Sequence, residues 1–347
     1  MPKIAVIGTT SWGITLGVVL ANKGLQVKLW ARTEQEAAEL VNNAANSGLL
    51  AGGNSPATLS VTSSLSEALD KAKLVLLVVP SQSMRKNIRL IVEHLNKLTL
   101  IMSAAKGLEL GSGLRMSQVI ADEVAPDLRA NICVLSGPNL SQEILSGLPA
   151  ATVVAAEDEA VARKAQKLFT TPNLCVYTNN DVVGVELGGA LKNVIALGSG
   201  IADGLGYGNN AKAALVTRGL TEMTALGVAF GANPLTFSGL AGLGDLITTC
   251  ASPLSRNHYV GVELAKGRSL SKITNSMTGV AEGVSTTLVA SKLARQLELE
   301  MPITEAIYRL LYDGADLKQE ADELMSAGVA HELAGRKWRL FSFLRNR

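Results

Sequence analysis

A chain of 347 residues is long for a single hydrophobic core, so two domains are expected. With 47% hydrophobic and 18% charged residues and a net charge of +2, it suits a soluble globular protein and lacks the basic footprint of a nucleic-acid binder. Its three cysteines, Cys133, Cys175 and Cys250, are widely spaced with no C-x-x-C pair, which argues against a disulfide framework and a zinc site; no metal is expected.

The chain enters a strand by Lys3 with no charged-then-apolar leader, and the reading is a soluble, cytoplasmic protein. "KIAVIG" is the first strand and Ile14–Asn22 its helix. "QVKLWAR" is the second strand, followed by a polar helix from about Glu34. Ser64 and Glu67 form a capping box that starts a helix through Lys73. Leu74–Val79 is apolar at every position, as a central parallel strand is, and Pro80 stops it. "LTLIMSA", "NICVLSG", "ATVVAA" and "LCVYT" are further strands. Alternation of short β-branched runs with helical patterns predicts an α/β, Rossmann-type parallel sheet.

Near Asp181 the pattern turns to helical periodicity interrupted by glycines and by Pro234, Pro253 and Pro302. The expected division is a dinucleotide-binding domain, residues 1–180, and an all-α domain, residues 181–347. The apolar stretch from Val182 to Leu205 holds Glu186, Lys192 and Asp203, which makes it a poor membrane span and a good interior helix.

Gly8, Arg32, Pro80–Ser81, Lys106–Gly107 and Ser136–Gly137 all follow the carboxyl end of an expected strand. In an open parallel sheet those ends line one edge, where ligands bind. The turn "GTTSWG" keeps Gly8 and Gly13 of a G-x-G-x-x-G pattern but has Thr10 at the middle place. A helix start of this kind offers free N–H groups to a pyrophosphate. Thr10 implies either a phosphate seated farther out, or hydroxyls of Thr9, Thr10 and Ser11 replacing lost backbone contacts. Arg32 stands 24 residues after Gly8, where an acid would grip a ribose 2′-hydroxyl and an arginine accommodates a 2′-phosphate; the nearest acid, Glu34, comes two residues late. The cofactor expected is NADP or NAD, with a slight lean to NADP. The plainer alternative is a solvated surface arginine.

Lys192 lies in an apolar, glycine-rich helical stretch, where a lysine must be paired or neutralised. Structural pairing with Glu186 or Asp203 competes with a reactive role, and spacing does not choose between them. "GLGDLITTC" offers Asp245. Ser255, Arg256 and Asn257 follow as a phosphate grip, or as a helix start capped by Ser252 with Pro253 in its first turn.

From Lys3 to about Asp313 the chain resembles bacterial NAD(P)-dependent sn-glycerol-3-phosphate dehydrogenases. The resemblance rests on Ser11-Trp12-Gly13, "VPSQSMR", "AAKGLE", "LSGPN", "ELGGALKNVIALGSGIADGLG", "GLAGLGDLITTC", "SRN" and "GVAEGV", eight motifs in order. It implies reversible reduction of dihydroxyacetone phosphate to sn-glycerol 3-phosphate, the starting alcohol of phospholipids. By motif, Lys192 is the proton donor and acceptor. Lys106, Gly137, Asn139, Asp245, Thr249, Ser255, Arg256 and Asn257 surround the substrate with it. Gly8, Ser11, Trp12, Gly13, Arg32, Lys106, Ser141, Arg256, Val280 and Glu282 contact or border the cofactor. Besides Thr10, the chain departs from the pattern at Asn139, where a serine is usual, and at Leu140, where an aromatic is usual.

A free lysine titrates near about 10.4, too high for two-way proton transfer at neutral pH. Lys106 nearby and partial burial are expected to lower Lys192, with Asp245 orienting it. The rival readings are a dehydrogenase for a hydroxy acid or sugar nucleotide, and a non-catalytic dinucleotide sensor. The basic tail from Gly335, with Trp338, Phe341 and Phe343, reads either as a weak contact for anionic lipid or as a terminal helix packed on its own domain or a partner. A homodimer is the expected assembly.

Overall fold

A computed structural model describes residues 2–46 and 56–326. The tail from residue 335 on lies outside the described residues, and its two readings are not addressed by the fold.

Eight strands form one sheet: β1 Lys3–Ile7, β2 Gln26–Trp30, β3 Leu59–Thr62, β4 Ala72–Leu77, β5 Leu100–Ser103, β6 Ile132–Ser136, β7 Ala150–Ala155 and β8 Leu174–Asn179. Their order is β3-β2-β1-β4-β5-β6-β7-β8. Neighbours pair in parallel throughout, except that β7 runs antiparallel to β6. This qualifies the expected parallel sheet. A parallel return would need a crossover to the far edge, whereas the chain after Ser136 makes only a short excursion, with the helix Ser141–Leu145, and re-enters the sheet from the edge it left.

β3 has no counterpart among the expected strands. Its four residues, LSVT, sit half-buried at the sheet margin with only two apolar side chains, too short a run to read as a strand. The helix capped by Ser64 ends at Leu69, earlier than Lys73. Ser64 accepts from the Glu67 N–H, but the Glu67 carboxylate turns to Lys28 and Thr62 and leaves the capping box half-made.

Apolar side chains pack on both sheet faces, Ile4, Val6, Leu74, Leu76 and Met102 in one layer and Ala5, Ile7, Val75, Leu77 and Ile101 in the other. This alternation comes from the two-residue period of a strand covered on both sides. Beyond β8 the described residues are helical. The third core surrounds the helix Val182–Gly204, buried along nearly its whole length. It is the one helix among the described residues long and apolar enough to cross a bilayer, and it is enclosed by its neighbours.

Its closest neighbour is the helix Arg256–Ala265. A Cβ added at Gly200 would lie 2.0 Å from the carbonyl oxygen of His258, and one at Gly261 would lie 2.1 Å from that of Leu197. Glycine at both positions therefore fixes the spacing of the two helices, and with it the position of Arg256 relative to Lys192.

Candidate active site

The carboxyl ends of β2, β1, β4, β5 and β6 carry Arg32, Gly8, Ser81, Lys106 and Gly137 along one sheet edge. Arg32 and Gly137 are four strand spacings apart, roughly 19 Å. The candidate site is thus an elongated crevice, closed on its other side by the helical half.

At the β1 end, Gly8 adopts φ +122°, and a Cβ there would lie 2.3 Å from the Val78 carbonyl oxygen; one at Gly13 would lie 2.2 Å from that of Gly8. Both glycines are required by the turn. Thr10 is not. With φ −67° and ψ 158° it is the N-cap of the helix Ser11–Asn22. Its hydroxyl accepts from the Gly13 N–H at 3.1 Å and donates to the Val78 carbonyl at 3.1 Å. The Thr9 hydroxyl donates to Glu36 at 2.5 Å. Two of the three hydroxyls expected to replace backbone contacts are therefore already engaged, and the exposed Ser11 is the one that remains.

The helix carries no acid in its first turn, and the N–H groups of Ser11 and Trp12 have no partner among the described residues. Trp12 Nε1, Ser136 Oγ and Asn139 Oδ1 are buried without partners. Ser141 opens the short helix Ser141–Leu145, which packs against the helix Ser11–Asn22. An anion-receptive helix start and orphaned polar atoms along one groove fit a dinucleotide carrying a pyrophosphate.

At the β5–β6 end two lysines and one aspartate converge. Lys192 donates to Asp245 Oδ1 at 2.5 Å, and Lys106 donates to Oδ2 at 2.6 Å and to the Gly137 carbonyl at 2.9 Å. Asp245 is 1% exposed and Lys192 6%. The Thr249 hydroxyl donates to the Asp245 backbone carbonyl and accepts from Lys192. The partners considered for Lys192 are engaged elsewhere: Glu186 holds Arg115 and Ser117, and Asp203 holds Lys212 and His258. Burial pulls the Lys106 ammonium down to about 8; the Asp245 carboxylate opposes this and nearby Lys192 adds to it.

The helix Arg256–Ala265 is capped by Ser255, whose hydroxyl accepts from the His258 N–H at 3.2 Å. Ser252 instead ends the preceding helix, Asp245–Ala251, so the cap lies three residues beyond the expected one. Exposed Arg256 projects from the first turn with its guanidinium against Gly279, next to half-exposed Val280. Buried Asn257 is committed to the protein: its amide donates to Asn193 at 2.8 Å and its oxygen accepts from the Gly283 N–H at 2.9 Å. Asn139 bonds Thr152 at 3.3 Å through its amide, and Gly137 (φ +135°) turns the chain beside it.

Glu282 begins the helix Glu282–Gln296 and accepts from both the N–H and the hydroxyl of Ser81, tying the helical half to the end of β4. Burial pushes its carboxyl up, while the Ser81 bonds and Arg256 pull it back. Asn193 and Glu36 are not among the site residues expected from the sequence, and Ser81, expected at the sheet edge, gains a partner in Glu282 that the sequence does not suggest. The place of Ser81 just after a strand-ending proline is what put it on that edge.

The arrangement sets a buried, carboxylate-bridged pair of cations beside a dinucleotide groove, with an arginine at the mouth. Such a site can bind an anionic carbonyl compound and deliver a proton as charge develops on oxygen.

Two family models match the chain: NAD-dependent glycerol-3-phosphate dehydrogenase N-terminus over residues 3–162, and the C-terminus of the same enzyme over residues 181–322. A glycerol-3-phosphate dehydrogenase [NAD(P)+] of Dehalococcoides mccartyi is 64% identical over 348 aligned positions, covering 100% of this chain and 97% of the relative. One from Citrifermentans bemidjiense is 47% identical, covering 95% and 98%. The crystal structure of glycerol-3-phosphate dehydrogenase from Coxiella burnetii superposes with a TM-score of 0.87 at 36% identity, over 93% of this chain and 98% of that one. The chain therefore belongs to the NAD(P)-dependent glycerol-3-phosphate dehydrogenases and is an NAD(P)-dependent oxidoreductase.

Proposed function

We propose that this chain reduces dihydroxyacetone phosphate to sn-glycerol 3-phosphate, reversibly, with Lys192 as proton donor and acceptor. The observation that carries this is the sharing of one buried carboxylate, Asp245, by Lys192 and Lys106 at the groove. Gly8, Ser11, Trp12, Gly13, Ser141, Val280 and Glu282 would hold NAD(P)H, which when bound would supply the hydride. The chain's residues do the rest. Arg256 holds the substrate phosphate at the helix start capped by Ser255, and Asn257 braces that start through Asn193 and Gly283. Lys106, Gly137 and Asn139 border the three-carbon body. Lys192 faces the carbonyl oxygen, stabilises the charge that grows there and hands over a proton; in reverse it takes one back. Asp245 and Thr249 aim the two ammonium groups.

On this reading residues 1–180 bind the dinucleotide and the helical part from 181 supplies substrate contacts and the proton. A cytoplasmic homodimer feeding phospholipid synthesis completes the proposal. Exposed Arg32 is available to a 2′-phosphate, the feature that favours NADP. A non-catalytic sensor would be favoured by a phosphate turn spoiled at Thr10, but Thr10 is the cap of the helix Ser11–Asn22.

The test is to mix the protein with dihydroxyacetone phosphate and NADH or NADPH and follow absorbance of the reduced nicotinamide. Oxidation that depends on the phosphorylated ketone supports the proposal; coenzyme binding without turnover rejects it.

A further inference from the structure

The acid that sequence spacing sought near the end of β2 is present in space, four residues beyond Arg32. Glu36 lies in the first turn of the helix Glu34–Asn46. Its Oε1 accepts from the Thr9 hydroxyl at 2.5 Å and its Oε2 from the Arg32 N–H at 2.8 Å. Thr33 caps that turn by accepting the Glu36 N–H at 3.1 Å. The carboxylate is therefore fixed across the gap between the β1 turn and the end of β2. The Arg32 guanidinium is exposed and makes no ion pair among the described residues.

We infer that Glu36 is a coenzyme-discriminating residue, which accepts a ribose 2′-hydroxyl and turns away a 2′-phosphate. The inference rests on the proposed seating of the dinucleotide along this sheet edge, where an acid at the end of the second strand meets the ribose. A carboxylate has about four lone-pair sites and here uses two, so it can still accept a 2′-hydroxyl. A 2′-phosphate has no proton to offer it at neutral pH and adds like charge. The Arg32 N–H, a natural donor to such a phosphate, is already taken. Against this stands the Arg32 side chain, but an exposed cation is screened by salt, whereas the carboxylate is held by two protein donors. Glu36 outweighs Arg32, and the balance favours NAD over NADP. This reverses the lean read from Arg32 alone.

Isothermal titration of the full chain with NAD+ and with NADP+, for wild type, Glu36→Gln and Glu36→Ala at one ionic strength, tests it without turnover. Glutamine keeps the size and one acceptor but removes the charge. NADP+ is expected to bind about 10-fold more tightly to both variants than to wild type, because like-charge contacts at an interface are strongly disfavoured. NAD+ is expected to bind no better, so the preference ratio moves toward NADP+. A ratio unchanged within about threefold in the variants overturns the inference, as does equal weakening of both coenzymes, which marks Glu36 as a structural brace. Failure of wild type to bind either coenzyme rejects the seating itself, and is distinguishable from both. Arg32→Ala placed on Glu36→Gln is expected to weaken NADP+ alone.

Discussion

The Lys192 ammonium stands 2.5 Å from Oδ1 of Asp245, in a place where almost no water reaches either group. The other carboxylate oxygen serves Lys106, so one negative charge steadies two positive ones. Removing one partner of a buried pair costs more than the pair contributes, because a bare charge is left behind. Asp245→Asn is therefore expected to lose about 3–5 kcal/mol of stability at neutral pH, measured by urea unfolding, together with most of its turnover.

Lys106 sets a pH limit. Its folded value of about 8 lies below the ordinary 10.5, so the cation is present below about pH 8 and lost above it. If that cation helps hold a phosphorylated ketone, KM for dihydroxyacetone phosphate rises as pH climbs through about 8 and is flat below. Lys106→Met abolishes the step. A KM that stays level from pH 7 to pH 9.5 in wild type removes Lys106 from substrate binding.

Arg256 is exposed at a helix start with its guanidinium against Gly279. Charge-assisted two-point contact with phosphate is worth enough that Arg256→Ala raises KM for dihydroxyacetone phosphate about 10- to 100-fold, with kcat changed much less. Arg256→Lys restores charge but not the fork, and recovers only part of the loss. Unchanged KM in the alanine variant rules out phosphate recognition there.

The spacing of the two central helices is testable through Gly200. A methyl group there meets the His258 carbonyl at 2.0 Å, which is backbone and cannot swing aside. Gly200→Ala is expected to cost at least about 2 kcal/mol, seen as a Tm lowered by several degrees. Because His258 shares a turn with Arg256, folded Gly200→Ala also shows a raised KM. Wild-type stability in this variant means the helices have room to part.

The sheet was legible because Leu74–Val79 and its counterparts are continuously apolar, and because parallel strands bring their ends to one edge without further information. That rule alone placed Gly8, Lys106 and Gly137 in one crevice. β3 escaped because LSVT carries too little apolar signal, and the reversal of β7 because direction depends on the excursion after Ser136. Lys192 stood out by its apolar surroundings, yet its partner did not. Asp245 is 53 positions away, and helical spacing can only weigh Glu186 and Asp203 on the same helix. Thr10 looked like a defect in a phosphate turn because its acceptor, the Val78 carbonyl, lies just past the end of β4, 68 positions along the chain. Glu36 and the Glu282–Ser81 contact, which spans 201 positions, became visible only once the strands were side by side.

In the proposed mechanism, turnover depends on the proton carried by Lys192. Lys192→Met keeps length and apolar contacts while deleting the ammonium, so the most direct measurement pairs the initial rate of NAD(P)H oxidation by dihydroxyacetone phosphate with titration of the coenzyme. In this variant kcat is expected to fall about 10²–10⁴-fold while the coenzyme still binds within a few-fold of wild type. Turnover near the wild-type rate, or loss of coenzyme binding in parallel with turnover, would contradict it.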